Sequence, residues 1–203
     1  MPRPRIDVDA QKDRILSAAE QILRRTGKAT LTVQDVADEC GMSPANAYRF
    51  FRNKEDMIRS LVARWFREIE VELDAVVDTV ADPEQALRDY VVTQHRLKCA
   101  RFDADPALFR TYLALADRHR AAVQGHVERL HRQFERLVAR FLAAEGLTRT
   151  HAVEAARMLQ DMTVAYRAPQ MIALDRDART RERLDRILDH AIAALRTHRW
   201  DPA

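Results

Sequence analysis

Thr30-Leu31-Thr32-Val33-Gln34-Asp35-Val36-Ala37-Asp38-Glu39-Cys40-Gly41-Met42-Ser43-Pro44-Ala45-Asn46-Ala47-Tyr48-Arg49-Phe50-Phe51-Arg52-Asn53-Lys54 reads as two very short helices joined by a glycine turn. Thr32 is an N-cap residue with Asp35 three positions on to return the bond, and Val36 and Ala37 begin an apolar face. Gly41 supplies the turn. Ser43 is a second N-cap, followed by Pro44 at the first helical position, where the missing N–H costs nothing. The second helix, ending near Phe50, spans barely two turns and must be held by its neighbours. This is the pattern of a helix-turn-helix, whose second helix presents its N-terminal residues to DNA base edges while the first braces it across the backbone.

The rest of the chain is written for helix. Among 203 residues there are only 4 glycines, and 47% are hydrophobic, enough to fill a core. An all-α fold of about nine helices is expected. The formal charge of +3 resides in the first quarter, because residues 1–54 carry 10 Lys or Arg against 7 Asp or Glu while the remainder carries 24 of each. A solvated helix face explains so small a bias as well as a DNA-facing surface does. Cys40 and Cys99 have no metal or redox spacing, Met1 to Asp13 has no apolar run like that of a signal peptide, and no stretch is long and apolar enough for a bilayer. A cytoplasmic protein with no membrane partner is expected.

Helical periodicity places a first helix from about Asp9 to Thr26, closed by Gly27. From Asn53 a stripe through Met57, Leu61, Trp65, Ile69, Leu73 and Val80 continues for almost seven turns, too long for a three-helix domain. Asp82-Pro83-Glu84-Gln85 is a capping box, and Asp105-Pro106 repeats the device. Val123, Val127, Leu130, Phe134, Leu137 and Phe141 mark a strongly amphipathic helix before Gly146. Two further helices follow, from Thr150 to Ala168 and from Thr180 to His198, with Pro169 between them either ending or kinking the eighth.

The segment from Thr32 to Lys54, between two long helices, resembles the DNA-binding domain of the TetR family of bacterial transcriptional regulators. The likeness rests on Thr32, Ala37, Gly41, Tyr48, the pair Phe50-Phe51, and Lys54, and covers about residues 10–60. One departure is Phe50, where many members carry histidine. The resemblance implies an arm and DNA-binding domain over residues 1–54 and a helical regulatory and dimerisation domain over 55–203. It implies that Pro44, Ala45, Asn46 and Arg49 belong to the groove-facing recognition helix, and that Thr32, Tyr48 and Lys54 meet phosphates. The chemistry agrees: Arg pairs with guanine and Asn with adenine, each discriminating by about 1–3 kcal/mol, whereas Ala45 can only touch a thymine methyl. Arg3 and Arg5, spaced by prolines, suit a minor-groove arm, though an unstructured terminus is the more ordinary reading.

The resemblance further implies a homodimer joined through the last two helices, a near-palindromic double-stranded operator, and an unidentified small-molecule inducer that releases a repressor from DNA. No cofactor is expected. Candidate lining residues are Trp65, Tyr90, Gln94, His95, Phe109, Tyr112, Met158, Met162 and Tyr166, with His95 near Gln94, Lys98 and Cys99 the most suggestive polar group. Aromatics and methionines at helical spacing also describe plain core. Two competing readings are weaker. Glu128-x-x-His131 supplies one of the two Glu-x-x-His units that a di-iron helical enzyme needs, and the seven histidines show no compact ligand set for a metal-sensing regulator.

Overall fold

The computed structural model describes residues 7–147 and 152–197, so Arg3 and Arg5 lie outside the described residues. The described residues form ten helical segments: α1 (Val8–Thr26), α2 (Val33–Glu39), α3 (Pro44–Ala47), α4 (Lys54–Thr79), α5 (Pro83–Ala104), α6 (Pro106–Arg118), α7 (Arg120–Ala144), α8 (Ala152–Arg167), α9 (Pro169–Leu174) and α10 (Arg181–Arg196). No strand occurs among them. None of these helices is long and apolar enough to cross a membrane.

The chain divides into two compact units, one of residues 1–66 with 107–125 and another of residues 67–106 with 126–203. The division therefore falls inside α4, later than the expected boundary after residue 54. An aromatic cluster accounts for the difference. Trp65 of α4 stacks on Tyr112 of α6, with ring centroids 4.8 Å apart and an interplanar angle of 10°, and meets Phe109 edge-on at 5.6 Å. Side-chain burial of this kind is worth about 1.5–3 kcal/mol per residue, so the start of α4 and α6 belong with the small N-terminal helices. Tyr112 also donates its hydroxyl to Glu20 of α1 at 3.0 Å, and His119 pairs its ring with Glu55 at 2.7 Å.

Within the first unit, Ile15, Ala19, Ile22 and Leu23 form the inner stripe of α1. Asp7 caps that helix through the N–H groups of Asp9 and Ala10, and Gly27 closes it at φ 62°, donating its N–H to the Leu23 carbonyl. Arg14 donates to the Cys40 carbonyl at 2.8 Å, and Arg25 forks onto Glu39 at 3.0 and 2.7 Å. These bonds tie α1 to the end of α2.

In the second unit, α5 buries Leu87, Tyr90 and Val91, α7 buries Phe134, Leu137, Val138, Phe141 and Leu142, and α10 buries Leu184, Leu188, Ile192 and Leu195. The expected stripe of α7 is buried only in its later turns; Val127 is 41% exposed. Pro169 neither continues nor kinks α8. It occupies the first position of α9, and Ala168, extended at ψ 121°, separates the two helices. Because proline brings no N–H, the terminal carbonyls of α8 need outside donors. They find them on α5, where His95 Nδ1 lies 3.2 Å from the Tyr166 carbonyl and Lys98 Nζ lies 2.5 Å from that of Arg167.

Candidate nucleic-acid interface and regulatory core

The helix pair at Thr32 to Phe50 is built by capping at both starts. Thr32 Oγ1 accepts from the Asp35 N–H at 3.0 Å, and the Asp35 carboxylate accepts from the Thr32 N–H at 3.1 Å. Ser43 Oγ accepts from the Asn46 N–H at 3.3 Å, with Pro44 at the first position. The turn between them places Gly41 at φ 64°, in the left-handed region that side chains resist. The α3 helix is shorter than its sequence suggests. Its winding is carried on by tighter bonds, from Arg49 N–H to the Asn46 carbonyl and from Phe50 N–H to the Ala47 carbonyl.

Val33, Val36, Ala37, Cys40, Ala47 and Phe51 are buried, and α2 packs on α1 and α3. Burial pushes the Cys40 thiol up, which keeps it a small apolar group rather than a thiolate. Thr32, Ala45, Tyr48, Arg49 and Lys54 remain exposed, Tyr48 by 51%. Pro44 and Asn46 are half-buried, and the Asn46 carboxamide turns back toward Met42 Sδ at 3.9 Å. Among the described residues no carboxylate pairs with Arg49 or Lys54. The unit thus offers a phenol and two cations that no carboxylate among the described residues neutralises, on a stiff, capped support, and these are donors that phosphates and base edges can accept.

The nine residues expected to line a ligand site are distributed over both units. Trp65, Phe109 and Tyr112 form the stacked cluster of the first unit. Tyr90, Gln94, His95, Met158, Met162 and Tyr166 belong to the second unit. There Tyr90, Gln94 and Lys98 recur every fourth residue along one face of α5, and all three are buried. Tyr90 donates its hydroxyl to the Leu130 carbonyl and to Gln133, each at 3.0 Å. His95 packs its ring edge-on against Tyr166 at 5.6 Å, and burial lowers its pKa below the usual histidine value. Met158 is half-buried, whereas Met162 is 38% exposed, beside Tyr166, Arg183, Arg186, Ile187 and His190 in a surface groove of about 390 Å³.

Two residues absent from that set stand out beside it. Lys98 is only 5% exposed, and burial brings its ammonium down to about 7. Arg167 is half-buried over the Phe134 ring at 5.3 Å, its guanidinium donating to Thr163 Oγ1 at 2.8 Å and to the Gln160 carbonyl at 2.9 Å. Leaving a buried charge without an opposite partner costs several kcal/mol, so such an arrangement needs a reason. The sequence signal for Lys98 is its place four residues after Gln94 on an otherwise inward face. Arg167 has none, because it sits at the end of α8.

Glu128 and His131 both point outward, and Glu128 pairs with Arg132 at 3.8 Å. Among the described residues no three His, Cys, Asp or Glu side chains gather to hold a metal ion.

Comparison with known proteins adds two family matches. Residues 15–61 match the model for bacterial regulatory proteins of the tetR family, and residues 83–188 match that for the tetracyclin repressor-like C-terminal domain. The regulator BetI of Brucella canis is 27% identical over 85 residues, 41% of this chain and 43% of its own length. An uncharacterized HTH-type transcriptional regulator of Mycobacterium tuberculosis is 29% identical over 85 residues, 42% of each chain. The match thus spans less than half the length of these curated relatives. Among solved structures, a transcriptional regulator of Pseudomonas aeruginosa PAO1 superposes with a TM-score of 0.73 at 16% identity, covering 97% of this chain and 95% of its own. A TetR/AcrR-family regulator of Thermobifida fusca gives 0.60 at 17% identity, covering 92% and 96%. At such identities these two likenesses speak for the fold alone. With a family model matched across more than half of its length and a second matched on its helix-turn-helix, the chain belongs to the TetR family of bacterial regulators.

Proposed function

We propose that this protein is a sequence-specific DNA-binding transcriptional regulator, a repressor that acts as a homodimer on a near-palindromic operator and is released by a small molecule held in the second unit. The observation that carries the DNA-binding reading is the capped α2–α3 pair, which leaves Arg49, Tyr48 and Lys54 exposed and leaves both cations free of carboxylates among the described residues. In this reading Arg49, with Ala45 and Asn46 on the short α3, meets base edges, while Tyr48 and Lys54 bind phosphates and Pro44 and Thr32 set the helix starts.

Dimerisation is assigned to α8 and α10, and what supports it is the half-apolar groove between them, where Met162 and Ile187 lie beside Arg183 and Arg186. Two recognition helices would then meet major grooves about 34–36 Å apart. The inducer acts by binding better to a state in which that spacing is lost, and α4, which contributes residues to both units, is the natural carrier of the signal.

The test is binding of the purified protein to DNA flanking its own gene and to sequences selected from random libraries. A palindromic preference with two half-sites supports the proposal, and failure to retain any DNA at low salt overturns it.

A further inference from the structure

We propose that the second unit binds a monocarboxylate with an apolar body, its carboxyl group seated on Lys98 and Gln94; this names the ligand class of the regulatory site and rests on that reading. Gln94 is 1% exposed, yet its Nε2 has no hydrogen-bond partner. Oε1 accepts from Lys98 Nζ at 3.3 Å, which turns the amide nitrogen away from the amine. The donors of Nε2 are therefore left over, one carboxamide's width from a buried cation.

Among the described residues no carboxylate balances that cation. The groups that act on Lys98 are Arg167 and Arg101, both positive, with the Cys99 thiol nearby and the His126 imidazole of α7 within electrostatic reach. Of the acidic groups of this region, Glu70 pairs with His126 at 2.6 Å, Asp74 with Arg129 and Gln133, and Asp161, exposed on α8, acts on Arg167. The other buried side-chain atom without a partner among the described residues, Nε of Arg179, is also a donor. Surplus donors with no surplus acceptors describe a receptor for an acceptor-rich anion.

Capping of α8 explains one hydrogen bond of Lys98, that to the Arg167 carbonyl, but does nothing for Gln94. A carboxylate placing one oxygen on Nζ and the other on Nε2 satisfies both. The Phe134 ring under Arg167, with Tyr90 at 5.7 Å from it, supplies the apolar surroundings that suit a hydrocarbon or aryl body. Burial holds the Lys98 amine down to about 7, so an arriving carboxylate re-protonates it at about pH 8 and binding takes up a proton.

The experiment uses the full chain and a panel of straight-chain monocarboxylates from acetate to dodecanoate, plus benzoate and phenylacetate, each beside its neutral amide. Thermal shift and calorimetry in two buffers of different ionisation enthalpy are read together with release of DNA. We expect at least one acid to bind with proton uptake at about pH 8 and its amide not to bind. Affinity should fall roughly 10- to 100-fold in Lys98→Met and in Gln94→Leu. Because Lys98→Met removes an uncompensated buried charge, it should melt at a higher temperature than the unliganded wild type, which separates lost binding from lost folding. Acids that bind no better than amides, or that bind Lys98→Met undiminished, overturn the proposal. Release of DNA by neutral amides overturns it while leaving the inducer reading intact. Acid binding at Lys98 without DNA release supports the anion site and removes the inducer reading instead.

Discussion

The Thr32 hydroxyl donates to the Asp35 carboxylate at 2.6 Å while its oxygen accepts from the Asp35 N–H, so its hydrogen-bonding capacity is largely spent inside the cap of α2. A phosphate can recruit that proton only by displacing Asp35, whose negative charge would then face the backbone. We therefore propose that Thr32 serves DNA binding chiefly by fixing where α2 begins. Thr32→Ala is expected to cost about 0.5–2 kcal/mol of stability, a few degrees of melting temperature in a chain of this size. It should weaken binding to all sequences while leaving the salt dependence unchanged. A neutral methylphosphonate at the nearest phosphate that costs this variant less affinity than it costs the wild type would assign Thr32 a direct phosphate contact.

Gly41 tests the turn. A Cβ added there would meet nothing within 4 Å, so the cost of Gly41→Ala is purely that of holding an L-residue at φ 64°. We expect a loss of about 1 kcal/mol in denaturant unfolding, with Gly41→Asn milder because asparagine tolerates the left-handed region.

Lys98 gives a pH signature. Its amine is lowered to about 7 in the folded chain and titrates near its ordinary value when unfolded, so between these limits the unfolded state binds more protons. Stability gains a contribution as pH rises through that window, at most about 1.4 kcal/mol per pH unit, and the penalty is fully present below it. Lys98→Met should consequently be more stable than wild type at about pH 6.5, with the difference shrinking toward about pH 10. A pH-independent difference would mean that the amine is not held low.

The helix starts and stops are legible in the sequence because capping is local chemistry: Thr32, Ser43-Pro44, Asp82-Pro83 and Gly27 each act where their side chains or backbone freedom direct. Pro169 is ambiguous in the sequence for a tertiary reason. It can open α9 directly after α8 because His95 and Lys98, some 70 residues earlier, satisfy the carbonyls the break exposes. The exposed surface of the helix-turn-helix follows from its short pattern. The aromatic cluster does not, because the helical spacing of Trp65, Phe109 and Tyr112 says that they are apolar and inward but not that their rings stack on one another.

The proposed roles of Arg49 in reading bases and of Lys54 in holding phosphates make different predictions. Arg49→Ala should change the preferred base at one position of each half-site and cost about 1–3 kcal/mol there. Lys54→Ala should weaken every site alike and reduce the slope of log affinity against log salt by about one. Selection from a random DNA library with each variant, followed by titration across a salt series, measures both.

We propose above all that the exposed face of α2 and α3 binds operator DNA. This is tested most directly by titrating the full-length protein onto DNA flanking its own gene between about 50 and 200 mM salt, the range in which phosphate contacts change affinity most visibly. We expect saturable binding to a palindromic site, with log affinity falling linearly in log salt, selectivity altered by Arg49→Ala and slope altered by Lys54→Ala. Binding that is absent from every sequence, or that is untouched by both substitutions, contradicts it.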